Sequence, residues 1–149
     1  MENGSVETTV GTNNQQTTNF DNSFIFLRDN KYEGGSTTND TYDAITLPAG
    51  TLMGRVSATG ELVPLVSTAT DGSQIPVGVL TQSITIEAGD TVSINVCTGG
   101  EVAEEKIVLD AGDTLDTVID GRQLRDKIAA DTVGIVLVTG TEMTAFDNQ

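Results

Sequence analysis

The chain has 149 residues, seven Lys and Arg against 22 Asp and Glu, a formal charge of −15 and no histidine. That length supports one core rather than two ordinary domains. The charge argues against direct contact with nucleic acid or an anionic membrane face, since phosphate binding needs a basic patch.

Sixteen glycines, 4% aromatics and no Trp suit short strands and many turns. The single cysteine, Cys97, excludes an internal disulfide framework. It fits folding in a reducing cytoplasm and reads as a small buried strand residue. The longest apolar run, Val133–Val138, is far short of the roughly 20 residues of a membrane helix. Met1–Gly4 has neither a basic nor an apolar character, so no secretory signal is expected.

In chain order, residues 1–41 are rich in Asn, Thr, Gln, Ser and Gly and read as a flexible amino-terminal arm. Phe20, Phe24, Ile25, Phe26 and Leu27 break that pattern, and residues 23–28 have the composition of a strand. Two readings stay open for this patch: a strand on the protein's own core, or an adhesive strand that adds to a partner's sheet edge.

Residues 42–140 read as a β-rich body and residues 141–149 as a polar tail. Apolar runs at Thr51–Val56 and Glu61–Val66 flank the turn Ser57–Gly60, and a strand at Ile75–Leu80 follows the turn Asp71-Gly72-Ser73. Ile84 and Ile86 alternate with polar residues, as do Val92, Ile94 and Val96, with Glu87–Asp90 as a hairpin turn between them. Gly99-Gly100 is expected to end the second of these strands, and Lys106–Leu109 to form another.

Helical character comes late. Asp113 is placed to cap a short turn carrying Leu115, Val118 and Ile119, and Asp120 to cap Arg122–Ala130. In the second piece Leu124 and Ile128 share one face, with Arg125 and Lys127 toward solvent. Gly121 favours two short helices over one. A β-type run, Gly134–Thr139, closes the body. The fold class is therefore mainly β (β-rich α+β), a small sandwich or barrel-like body with one or two short helices.

The similar phrases at Pro48–Leu52, Glu87–Val92 and Asp110–Leu115 are unequally spaced and read as a recurring turn, not a repeat. Catalytic signatures fail. No His-assisted nucleophile pair is possible, and neither a G-x-S-x-G elbow nor a phosphate-binding G-x-x-x-x-G-K-[ST] loop occurs. Asp110, Asp113, Asp116 and Asp120 miss the calcium-loop spacing, and capping explains them better. Arg55 reads as an outward strand residue or an ion-pair donor. No enzyme activity, metal or cofactor is expected.

The ordered phrases A-G-T-L-x-G-R, A-T-G-x-x-V-P and T-A-T-D-G-S-Q-x-P-V-G-V-L between Ala49 and Leu80 resemble the head decoration proteins of lambda-type tailed bacteriophages. Gly99-Gly100-Glu101-Val102 and Gly134–Val138 continue the likeness. The resemblance implies a β-rich protomer that forms a homotrimer. Such trimers sit at three-fold and quasi-three-fold positions on the outer surface of the expanded capsid, holding the major capsid protein lattice against DNA pressure.

It further implies an amino-terminal arm that orders on the capsid, which would make Phe20, Phe24, Ile25, Phe26 and Leu27 the capsid-binding residues. The protein would be made in the bacterial host cytoplasm and reside in the virion, without contact to nucleic acid or membrane. The competing reading is a non-catalytic β-rich binding module, such as a phage-fibre or glycan-recognition domain. The long Asn/Thr-rich start, the acidic stretch Asp110–Asp131 and the polar tail depart from the family pattern.

Overall fold

The alternation read at Val92–Val96 belongs to a strand much longer than its apolar part. In the computed structural model, which describes residues 25–139, this strand is β7 (Thr91–Ala103). Before it come β1 (Phe26–Thr38), β2 (Ile45–Leu47), β3 (Leu52–Arg55), β4 (Leu62–Pro64), β5 (Pro76–Leu80) and β6 (Ile84–Ile86). After it come a 3-10 turn (Glu104–Lys106), β8 (Val118–Ile119), β9 (Arg122–Gln123), the helix α1 (Leu124–Asp131) and β10 (Ile135–Val138).

The main sheet has the order β1-β7-β5-β3-β4, with β10 pairing in parallel to the far half of β7. Both of its faces are covered. Leu52, Val79, Cys97 and Val102 face one core with Ile119, Leu124, Ile128 and Ile135. Met53, Leu80, Ile94 and Val96 face a second core with Leu47, Ile86 and Leu62. Burial on both faces explains why β3 and β5 read as unbroken apolar runs and not as alternating strands. The sheet also curls, because Arg55 on β3 reaches Glu33 on β1 at 3.6 Å and Thr38 donates to Glu61 beside β4 at 2.7 Å. The mainly β class is borne out, with one α-helix among the described residues.

The hairpin and return strand expected between Thr51 and Leu80 are present: β3 pairs with β4 on one side and β5 on the other. In the loop before β5 the Ser73 hydroxyl and N–H hold the Asp71 carboxyl below the usual carboxylate range.

Several expectations need correction. The division at Tyr42 is not a division of the structure, because β1 runs from Phe26 to Thr38 as an edge strand of the main sheet. The body therefore begins by Ile25. Glu87–Asp90 is a turn, but β6 pairs with β2 and not β7, so it links two sheets. Gly99-Gly100 lies inside β7 and does not end it. Lys106–Leu109 makes a single bridge, Val108 to Thr51, because Glu104–Lys106 coils into the 3-10 turn first.

Asp113 caps no helix. Its carboxylate accepts the Ser67 hydroxyl at 2.7 Å and N–H at 3.2 Å, fastening two loops together. Asp120 and Gly121 both have positive φ, 53° and 83°, and form the two-residue turn joining β8 to β9. Consequently α1 starts only at Leu124, and its first N–H groups donate to Thr117 and Leu115 carbonyls at 2.7 and 2.8 Å. Leu124 and Ile128 are fully buried as expected, but Lys127 is buried too, its ammonium 3.3 Å from Asp131 one turn on.

Candidate functional site

Of the five residues read as a capsid-gripping patch, Phe20 and Phe24 lie outside the described residues. The other three are together at the start of β1 and play unequal parts. Ile25 is 7% exposed within the helix-side core, and its carbonyl accepts the Ala103 N–H at 2.8 Å. Phe26 stands opposite Val102, packs against the same core and meets Tyr32 edge-on with ring centroids 6.3 Å apart. Leu27 is half-buried. Arg28 reaches Glu101 at 3.2 Å. Ile25 is thus committed to the protein's own core, while Phe26 and the half-exposed Tyr32 form an aromatic root on the sheet edge.

A bulge sets the direction of this root. Register shifts fall between Phe26 and Tyr32, and Asp29 takes φ 57°. The Asn30 side-chain amide stitches the bulge to β7, donating to the Glu101 carbonyl at 3.0 Å and the Gly99 carbonyl at 3.4 Å. Gly100 (φ 94°) is required here, since a Cβ would lie 2.6 Å from the Asp29 carbonyl oxygen and the Asn30 Cα. Bulges of this kind add local twist and interrupt an edge that would otherwise offer itself along its whole length. Nothing in the sequence before Asn30 signals it; only the paired glycines of β7 hint at a close approach.

The two ends of the described chain share one pole. Ile25 bonds Ala103 on one side of β7, and Val138 pairs with Ala103 on the other. At the opposite pole, where β1 ends, Asn39 is 1% exposed and holds the loop that carries the fully exposed Tyr42. Its amide donates to the Asp43 and Ile86 carbonyls at 2.8 and 2.9 Å, and its side-chain oxygen accepts from the Thr41 N–H and hydroxyl. Sequence reasoning missed this residue, whose buried partner Ile86 lies on a strand 47 positions away.

Chemically the surface is suited to contact. One cavity among the described residues, about 370 Å3, is lined by residues 80–84 and 93–95, which offer hydroxyls, amides and aliphatic floor but no titratable group. Another, about 280 Å3, lies between α1 and β10. There Arg125 donates to Glu104 at 2.7 Å, a bond that raises its already high pKa, and lies 3.5 Å from Asp116. No aromatic side chain lines either cavity. Among the described residues no cluster of three or more acidic, His or Cys ligands is placed to hold a metal, and no helix is long and apolar enough to cross a membrane.

Burial pushes the Cys97 thiol up from its ordinary value of 9.0. The neutral thiol is thus favoured by folding, and that contribution is present below pH 9 and lost as pH climbs toward the raised value. Melting temperature is therefore expected to fall above about pH 9 more steeply in the native chain than in Cys97→Ala, as scanning calorimetry across that range would report. Parallel slopes would remove the thiol from the explanation.

Among curated proteins none matches this sequence. The family model described as bacteriophage lambda head decoration protein D matches residues 16–123, a span that includes β1 through β9 and all but β10 of the main sheet. With the ordered turns of Ala49–Leu80 inside that match, the chain belongs to the bacteriophage lambda head decoration protein D family, whose members are structural proteins of the phage head.

Proposed function

We propose that the protein binds the outside of the expanded capsid as a homotrimer at three-fold and quasi-three-fold positions, and stabilises the head against the pressure of packaged DNA. The observation that carries this reading is the family match over residues 16–123, which spans the β1 root as well as the β-rich body. The partner is the major capsid protein, and the body supplies the trimer contact. The protein is made in the host cytoplasm and ends in the virion.

The grip lies at the chain-end pole. Phe20 and Phe24 precede a strand whose first residues are fixed by Ile25 in the core and by Phe26 on Tyr32. An arm rooted so firmly transmits load from capsid to body without unravelling β1, and strand addition would supply its hold. The surplus of carboxylates suits a surface that faces solvent and keeps the free protein soluble.

Stabilisation follows from mass action. A ligand that binds only the expanded lattice stabilises it by about 2.7 kcal/mol per site at a free concentration one hundred times its Kd. The protein is expected to co-sediment with expanded heads and not with unexpanded ones, and to raise the temperature at which filled heads release DNA. Equal binding to both head forms, with no change in release temperature, would contradict the proposal. The glycan-binding alternative gains nothing from the cavities, since sugar rings are held on aromatic faces and neither cavity has one.

A further inference from the structure

β1 and β7 do not keep pace at the root. Between the Tyr32–Cys97 and Phe26–Val102 pairs β1 advances six residues and β7 five, through three register shifts. From Tyr32–Cys97 to Thr38–Thr91 the ladder runs without a shift. One residue of β1 is therefore surplus, and the surplus is confined to the root.

The sequence offers a second phase that needs no surplus. Released by one residue, β1 would place Leu27 opposite Val102 and turn Phe26 to the other face. Phe24, Ile25, Phe26 and Leu27 are all apolar, so hydrophobic patterning does not choose between the two phases. The choice matters, because Val102 is fully buried in the helix-side core and the residue opposite it shares its face. Phe26 holds that place, with its ring against Tyr32.

Holding the surplus residue is unfavourable in itself. Asp29 must adopt a left-handed φ of 57°, a conformation that carries a steric cost for any residue but glycine. One side chain offsets it. The Asn30 amide donates to the Glu101 and Gly99 carbonyls and lies 3.5 Å from the Cys97 sulfur, so it reaches alternate residues of β7 across the stretch where the register shifts. Its 3.0 Å bond to Glu101 is the shortest of these. By comparison the Thr98 hydroxyl donates to the Lys31 carbonyl at 3.4 Å, and the Arg28–Glu101 pair is largely exposed on the arginine side.

We propose that Asn30 is the positioning residue of the root: its amide keeps the surplus residue in the bulge and so fixes Phe26, not Leu27, opposite Val102. The phase decides where the preceding chain leaves the sheet, since a slip of one residue moves that point along the strand by about 3.3 Å and exchanges the faces. The consequence for capsid binding rests on the arm reading above, whereas the phase of β1 does not.

Nuclear Overhauser contacts in the full chain read the phase directly. The native protein should show the Val102 methyls against the Phe26 ring. In Asn30→Ala these contacts are expected to vanish and contacts to the Leu27 methyls to replace them, while the amides of Tyr32–Thr38 stay as protected from exchange as in the native chain. Asn30→Asp, similar in shape but without the donor, should behave as Asn30→Ala. Deleting Asp29 from Asn30→Ala removes the surplus residue and should restore the Phe26 contacts, a rescue that a general loss of stability would not show. Phe26 contacts that survive in Asn30→Ala, or that fail to return when Asp29 is deleted, would overturn the proposal. Lost protection of Tyr32–Thr38 would overturn it too, by making Asn30 a general support of the fold. Co-sedimentation with expanded heads separates this inference from the reading it rests on: Asn30→Ala should bind at least about tenfold more weakly, and deletion of Asp29 should recover the loss. A shifted phase with undiminished binding would uphold the role of Asn30 in the root and contradict the arm.

Discussion

Removal of residues 1–41 is expected to leave a chain that does not fold, whereas removal of residues 1–24 leaves a folded body. The longer deletion takes away β1, which pairs with β7 at ten positions from Phe26–Val102 to Thr38–Thr91. At about 0.5–1.5 kcal/mol net for each ladder hydrogen bond, even half of these approaches the total stability of a domain, about 5–15 kcal/mol. The loss goes beyond the ladder. Ile25 leaves the helix-side core, and the buried Thr37 and Asn39 leave with the strand. Circular dichroism with thermal melting separates the two deletions: a cooperative transition is expected for the shorter and none for the longer. A cooperative melt of the chain lacking residues 1–41 would show that β1 is dispensable to the body.

Asn39→Ala is expected to cost about 3 kcal/mol, a large effect for one polar side chain. The side chain is buried and satisfied on every side, with two carbonyls as acceptors and the Thr41 N–H and hydroxyl as donors. Its backbone joins in, exchanging bonds with Asp90 and Gly89 across the turn that leads into β7. Alanine takes the buried donor from the Ile86 carbonyl and the acceptor from the Thr41 N–H, while the exposed Asp43 carbonyl keeps the Thr41 hydroxyl; a buried group left unpaired costs about 1–3 kcal/mol. Asn39→Asp is expected to be no milder, because a carboxylate keeps the acceptor but turns toward two carbonyl oxygens. The denaturant midpoint should fall in both variants with an unchanged slope. A loss under about 1 kcal/mol in Asn39→Ala would mean that the loop around Tyr42 is held by its backbone alone.

The parts of the fold that were legible are those specified by neighbouring residues. Leu52–Arg55 and Pro76–Leu80 are apolar runs bounded by turn residues, so β3 and β5 could be read directly. Leu124 and Ile128 are four apart and share a buried face, as a helix period demands. Where a distant partner decides, local reading went astray. Asp29–Thr38 has almost no apolar character and becomes a strand because the β7 backbone pairs with it. Gly99-Gly100 looks like a terminator, yet the glycine is needed because Asn30 presses against it from the bulge. Asp113 had every mark of a helix cap, but its partner Ser67 is 46 residues away. Asp120-Gly121 carried a local signal that was misread: Asp-Gly is a strong hairpin signal, and both residues adopt the positive φ it requires.

The candidate site was legible in part. The run Phe24–Leu27 did mark the place where the chain enters the sheet, but burial divides its labour. Ile25 holds the core and Phe26 packs partly against it, so the proposed grip would fall to Phe20 and Phe24. Composition alone does not distinguish an apolar residue that anchors from one that adheres.

That distinction can be measured. Co-sedimentation with expanded, genome-filled heads, comparing the full chain with the chain lacking residues 1–24, tests the account most directly. Both proteins should be folded and of the same oligomeric size by sizing chromatography. The full chain is expected to saturate the heads, and the truncated one to lose at least about a hundredfold in affinity, or about 2.7 kcal/mol. Undiminished binding by a folded, truncated protein would contradict the account and move the capsid grip into the β-rich body.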